Sequence, residues 1–271
     1  MPRGRKLENL EDYKRSLRNG FGLGKGKDYK PWLRVQDVSS RGVSSKVFGI
    51  KTQREHHMLS NLETQFFYIA EFSDLVLDIR EQFPLLPLTL SSKIAKTINI
   101  AHPVVPKSKE LNLITTDFLL TIKTPAGVRY EAINVKPFKD LKNSRVAEKL
   151  DLERVWWEAI GVPFHIFTGN DLTKIQSKNI SWATNPIRCG INFKHEDVMK
   201  VLEKLSLGKM TTKNIIEIIG NTITLDKTEA MQFLQYLIGN KYLDIDFNYS
   251  ILKEGLLNIR KINYDSMEAT L

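Results

Sequence analysis

In the run Ala132-Ile-Asn-Val-Lys136, the alternation of an extended strand sets Asn134 and Lys136 on one face and Ile133 and Val135 on the other. An amide and an ammonium on one face of a central strand are costly to bury and demand partners. Asp117, preceded by Thr115 and Thr116 and followed by Phe118-Leu-Leu120, belongs to the preceding strand, and a hairpin sets it beside them. A carboxylate, a second oxygen ligand and a lysine on adjacent strands suit a Mg2+ ion and an activated water. The cation takes hard oxygen ligands and keeps several waters, while the lysine orients the nucleophile or stabilises charge developing at phosphorus. The reaction such a set serves is phosphodiester hydrolysis.

Each of these residues also has a structural use. Asp117 could be a strand-edge acid bonded to nearby hydroxyls, Lys136 a snorkelling side chain at the strand end marked by Pro137, and Asn134 an amide satisfied by backbone. Glu63, in Ser60-Asn-Leu-Glu63, sits where a capping box would use it, and spacing alone does not separate that role from chemistry. Glu148, Asp151 and Glu153 fit either outer metal ligands or a solvated helix face. His56-His57 lacks further ligands and is a weak metal signal; His102 and His165 read as structural.

The elements that must position these groups are legible in part. From Ser60 an apolar stripe of Leu62, Phe66, Phe67, Ile69 and Ala70 marks a helix, and residues 75–79 read as a strand running on to Pro84. Residues 85–112 read as an irregular connection. Strands are expected over 113–122 and 128–135 about a Thr124-Pro-Ala-Gly127 turn, then a helix over 144–160 stopped by Gly161, and a short strand over 164–168. That order gives a mixed α/β core whose last strand follows a crossover. Residues 171–191 read as a linker broken by Asn185-Pro186 and Gly190. Helices are expected over 195–205 and 211–219 and after the Asp226/Glu229 capping box, followed by a strand over 241–247. Such a tail fits a small helix-turn-helix or winged-helix module, or a protein-docking bundle.

Composition bounds the class. The chain has 271 residues, enough for two domains at roughly 150 residues each, with 42% hydrophobic and 26% charged residues, which excludes a disordered chain. Its one cysteine, Cys189, excludes an intrachain disulfide and a thiolate zinc cluster. With no apolar leader and no spanning run, the expected location is cytoplasmic, with no membrane partner. The net charge of +9 is concentrated at the start: residues 1–60 hold 14 Lys/Arg against 6 Asp/Glu. There the glycines of residues 20–26 and the aromatics Phe21, Tyr29 and Trp32 interleave with Lys25, Lys27, Lys30 and Arg34, which reads as a basic DNA-binding arm. The glycine spacing matches neither a Walker loop nor a dinucleotide fingerprint.

Five stretches, Asp28-Tyr-Lys-Pro-Trp-Leu33, Leu59-Ser-Asn-Leu-Glu63, Leu77-Asp-Ile-Arg-Glu-Gln-Phe-Pro-Leu-Leu86, Thr116-Asp117 and Asn134-Val-Lys-Pro137, occur in the order and with the gaps of one family. From about Gly20 to Phe167 the chain resembles the TnsA family, the endonuclease subunit of Tn7-type heteromeric bacterial transposases. The resemblance implies a restriction-endonuclease-like α/β fold with a PD-(D/E)xK site, in which Glu63, Asp117 and Lys136 are catalytic. It implies Mg2+, one or two ions with Mn2+ as a substitute, held by Glu63, Asp117 and Asn134 with the Val135 carbonyl as a further donor. Glu153 matches an outer acidic position, and the family commonly has Gln where this chain has Asn134. Also implied are a bacterial cytoplasmic setting, cutting of the 5′ strands at transposon ends in double-stranded DNA, a DDE-type partner resembling TnsB, and an AAA+ ATPase resembling TnsC at the C-terminal domain. The expected division is a basic, glycine-containing DNA-binding arm or subdomain over 1–59, a nuclease core over 60–170 and a helical, winged-helix-like domain for DNA or partner binding over 171–271. A stand-alone restriction or repair nuclease, a non-catalytic DNA-binding adaptor of the same fold and a transcription regulator built on the C-terminal module are the other readings.

Overall fold

A computed structural model describes residues 4–38 and 43–264. The chain forms two compact units, Met1–Gly169 and Asn170–Leu271.

In the first unit the order is α1 (Leu10–Arg18), β1 (Ser45–Gly49), β2 (Arg54–Met58), α2 (Asn61–Phe72), β3 (Val76–Pro84), α3 (Leu88–Thr97), β4 (Thr115–Thr124), β5 (Gly127–Val135), α4 (Ser144–Ala159) and β6 (Phe164–Phe167). The main sheet runs β3-β4-β5-β6, antiparallel through β5 and parallel between β5 and β6. The parallel pair follows from the α4 crossover, as expected. Two residues separate Thr124 from Gly127 in the β4–β5 hairpin, and Gly127 takes a φ of +118°.

Period-2 alternation sends the two faces of β4 into different cores. Phe118, Leu120 and Ile122 join Phe67, Ala70, Ile79, Ile133 and Val135 under α2. Leu119 joins Ala132, Leu152, Trp156 and Trp157 under α4, with Leu85, Ile94 and Ala95. Covered on both sides, β4 is therefore apolar on both faces over Phe118–Leu120 rather than alternating there. Each fully buried ring or branched chain contributes about 1.5–3 kcal/mol. Ser60 caps α2 by accepting the Glu63 amide.

One sequence expectation is corrected in this unit. The connection over 85–112 contains α3, whose buried residues, Ser91, Ile94 and Ala95, are mostly small, so its apolar stripe is faint. Within the basic segment at the start of the chain, Tyr13 and Trp32 pack with Leu113 in a small core of their own.

The second unit comprises α5 (Asp171–Arg188), α6 (His195–Leu202), β7 (Gly208–Thr211), α7 (Thr212–Ile223), α8 (Lys227–Gly239), β8 (Leu243–Ile245), α9 (Ile251–Glu254) and β9 (Leu256–Ile262), with a three-stranded antiparallel sheet ordered β7-β9-β8. The expected linker over 171–191 is instead mostly the 18-residue α5. Pro186 lies in its last turn, and the carbonyl its missing N–H leaves free, that of Trp182, accepts from Gln235 Nε2 at 2.9 Å. Asp226 and Glu229 form the expected capping box on α8. Among the described residues no helix is long and apolar enough to cross a membrane.

Candidate active site

The chemistry-bearing residues meet where the sheet opens. The β4–β5 ladder ends at Phe118↔Ile133, and the pair Asp117–Asn134 that the register would form next is missing. In its place the Asp117 carboxylate reaches across: its Oδ2 accepts from the Val135 amide at 2.7 Å and from Lys136 Nζ at 3.4 Å. Lys136 Nζ also donates to the Val135 carbonyl at 3.1 Å, and its own amide pairs with Phe167 O at 3.0 Å, so β6 fixes the lysine's backbone. Its side chain remains 34% exposed. On the other flank Gln82 Nε2 donates to Asp117 Oδ1 at 3.2 Å.

Glu63 comes from the first turn of α2. Its Oε2 accepts from the Leu59 amide at 2.9 Å and its Oε1 from the Ser60 hydroxyl at 2.8 Å. The capping arrangement therefore exists, and the same carboxylate lies near enough to Asp117 and Lys136 to feel both charges. Burial first, and then the Asp117 charge, push its carboxyl up to about 7. For Lys136, burial works against the charged form, but Asp117, Glu153 and Glu63 outweigh it and the ammonium is held above its ordinary range.

Asn134 does not satisfy itself on backbone. Its Nδ2 donates to both Glu153 oxygens, at 3.2 and 3.0 Å, and Thr116 Oγ1 donates to Glu153 Oε2 at 3.3 Å while accepting from Trp157 Nε1 at 2.7 Å. Burial, then the Asp117 charge, raise the Glu153 carboxyl to about 8. Asn134 Oδ1 is buried without a hydrogen-bond partner.

Among the described residues no three His, Cys, Asp or Glu side chains form a metal-holding group by themselves. The donor set nevertheless suits a hard divalent cation. Two neighbouring carboxylates repel each other, an amide oxygen lies unpartnered, and Mg2+ is commonly bound by one or two carboxylates with water completing its shell. The His56-His57 pair belongs elsewhere: His56 Nδ1 lies 2.8 Å from Glu81 Oε2 and its Nε2 lies 2.6 Å from Thr52 Oγ1. Arg54 grips Glu81 from the other side at 2.6 and 2.8 Å. Against total burial, His56 and Arg54 hold that carboxyl far below the ordinary range.

The basic segment divides. Lys25, Lys27 and Lys30 are exposed. Trp32 is 1% exposed, with its ring edge-on to Tyr13 at 5.8 Å, which corrects its reading as a stacking platform for DNA. Arg34 is half-buried, bound to Asp37 at 3.2 Å and set over the Phe21 ring, whose face Arg5 also covers. The glycines serve the chain's own packing: a Cβ on Gly22, at φ +77°, would lie 2.4 Å from Pro84.

Sequence reasoning passed over Gln82. It is buried, adopts a φ of +49°, accepts from Thr115 Oγ1 at 2.9 Å and takes the Trp32 amide on its carbonyl at 3.2 Å. A left-handed glutamine costs about 1–3 kcal/mol and marks a constrained site. Thr116, read only as a neighbour of Asp117, is the hydroxyl that bonds Glu153, and Trp157, which donates to Thr116, carries no sequence signal that distinguishes it from an ordinary core residue.

Residues 73–169 match the family described as TnsA-like endonuclease N terminal. Over 168 residues the chain is 43% identical to the Transposon Tn7 transposition protein TnsA of Escherichia coli, an alignment covering 62% of this chain and 60% of that protein. The chain thus spans less than two thirds of that relative's length. Gln82, Asp117, Asn134, Lys136 and Glu153 lie inside the residues that match this family and Glu63 lies outside them, so most of the site falls in the part of the chain that is similar to TnsA-like endonucleases.

Proposed function

We propose that the protein is a divalent-cation-dependent DNA endonuclease of the PD-(D/E)xK type that cuts the 5′ strands at transposon ends. It would act beside a DDE-type transposase resembling TnsB and an AAA+ ATPase resembling TnsC. The observation that carries the reading is the Asp117 carboxylate at the sheet opening, anchored by the Val135 amide, beside Lys136 and near Glu63. The family match supports the same reading.

Glu63 and Asp117 would hold Mg2+ or Mn2+, with Asn134 Oδ1 and the Val135 carbonyl as the neutral oxygens at hand. The ion, when bound, supplies Lewis-acid polarisation of a phosphate oxygen and an acidified water. Lys136 stays an ammonium, because the surrounding carboxylates outweigh its burial, so it orients water and stabilises negative charge rather than removing a proton. Glu153, through Asn134 and Thr116, braces the strand end from α4. Exposed Lys25, Lys27 and Lys30 serve as phosphate contacts, and within the second unit the run α6, β7, α7, α8, β8 and β9, with the one-turn α9 between its last two strands, fits a winged-helix module for DNA or partner docking.

The test is an excision reaction with purified partner proteins, Mg2+ and end-labelled transposon DNA. Asp117→Ala and Lys136→Ala should lose 5′-strand scission while retaining DNA binding; unchanged scission in both would discard the site.

A further inference from the structure

Phe138 is 68% exposed, more than any other large apolar side chain among the described residues. It stands two residues beyond Lys136, at the start of the 3-10 turn Phe138–Lys142. Pro137 sets the chain entry at φ −56°, and two backbone bonds, Asp140 N to Pro137 O at 2.9 Å and Asn143 N to Asp140 O at 3.1 Å, close the turn. The ring is therefore presented by an ordered turn. Lys139 and Lys142 flank it, both exposed and neither in an ion pair among the described residues. Over residues 136–149 the chain carries Lys136, Lys139, Lys142, Arg145 and Lys149 against Asp140 and Glu148.

A phenyl ring left in water beside unpaired lysines matches one kind of surface well: bases offer a flat apolar face, and the strand bearing them is a polyanion. An apolar protein pocket would have to desolvate the two ammonium groups along with the ring. We infer that the turn over Phe138–Lys142 is a DNA contact, in which the Phe138 ring stacks on or wedges beside the base next to the scissile phosphate and Lys139 and Lys142 hold the flanking phosphates. This rests on the nuclease reading above and adds to it a residue that touches the substrate without taking part in the chemistry.

The experiment compares wild type, Phe138→Ala, Phe138→Trp and Asp117→Ala in the same excision reaction. In parallel, 2-aminopurine placed beside the scissile phosphate is followed by fluorescence on binding. Because the ring is exposed, Phe138→Ala should melt like wild type. It should cut roughly 10- to 100-fold more slowly, the range expected for one lost base–aromatic stack, and lose the fluorescence change. Phe138→Trp should restore both to within a few fold. Asp117→Ala should keep the fluorescence change and lose cutting; if it cuts normally, the nuclease reading falls whatever Phe138 does. If Asp117→Ala fails to cut while Phe138→Ala matches wild type in cutting and fluorescence, the contact is refuted alone. A Phe138→Ala variant that keeps the fluorescence change but no longer recruits the partner transposase would assign the ring to protein docking and equally overturn the proposal.

Discussion

Replacing Glu63 by Gln should stabilise the metal-free protein at alkaline pH, destabilise it slightly at acid pH, and end strand cleavage. Burial and the Asp117 charge raise the Glu63 carboxyl from 4.5 to about 7. Between those values the folded state keeps a proton that the unfolded chain has released, so stability falls as pH rises through the window, and the full cost is present above it. At 1.36 kcal/mol per pH unit the cost approaches about 3 kcal/mol. Gln carries no charge and escapes it, but its amide nitrogen cannot accept, so one of the two bonds from Leu59 N and Ser60 Oγ is lost, at about 1 kcal/mol. The variant should therefore be about 1 kcal/mol less stable than wild type at pH 3.5, below the window, and about 2 kcal/mol more stable at pH 8.5. The latter corresponds to roughly 4–8 °C in Tm for a unit of this size. Unfolding in EDTA, followed by the fluorescence of Trp32, Trp156 and Trp157, reads the difference. A stability difference that does not change sign with pH would refute the reasoning.

Gln82→Ala should cut at least tenfold more slowly with DNA affinity unchanged in filter binding, because Asp117 Oδ1 loses its amide donor and the carboxylate its orientation. Trp32→Ala should lower stability by about 3–5 kcal/mol in urea unfolding, the loss expected of a core ring. Changing Lys25, Lys27 and Lys30 together to Ala should leave melting unaltered and flatten the slope of log affinity against log salt by about 2.7, at about 0.9 for each phosphate contact. Arg54→Met should destabilise by about 3–5 kcal/mol at pH 7, since it leaves the buried Glu81 charge with only His56 and the His57 amide; an equilibrium denaturation loss under 1 kcal/mol would contradict that account.

What the sequence made legible was local. The β4–β5 hairpin, α2 and α4 announce themselves through alternation, a capping Ser60 and the stop at Gly161; these elements carry Glu63, Asp117 and Asn134, and Lys136 follows directly on β5. Elements held by distant contacts stayed hidden. In α3 small buried residues blurred the stripe, and in α5 the cost of Pro186 is offset by Gln235, 49 residues downstream in the sequence. Strand β9 becomes recognisable only because β7 and β8 flank it. Trp32 misled because an aromatic among lysines looks like a surface group until Tyr13 and Leu113 close over it. The support around the site was illegible for a similar reason: spacing rules say nothing about Gln82 or about a strand pair that parts at one rung.

That parting has a use beyond catalysis. The Val135 N–H is sealed by a side chain and not by a facing main-chain oxygen, so its isotope exchange with solvent is governed by one carboxylate. Whatever turns Asp117 aside, whether an incoming cation or a neutralising substitution, would unlock this single proton while Ile133, still paired with Phe118, keeps its own. The sheet thus carries its own gauge of whether the acid is in place.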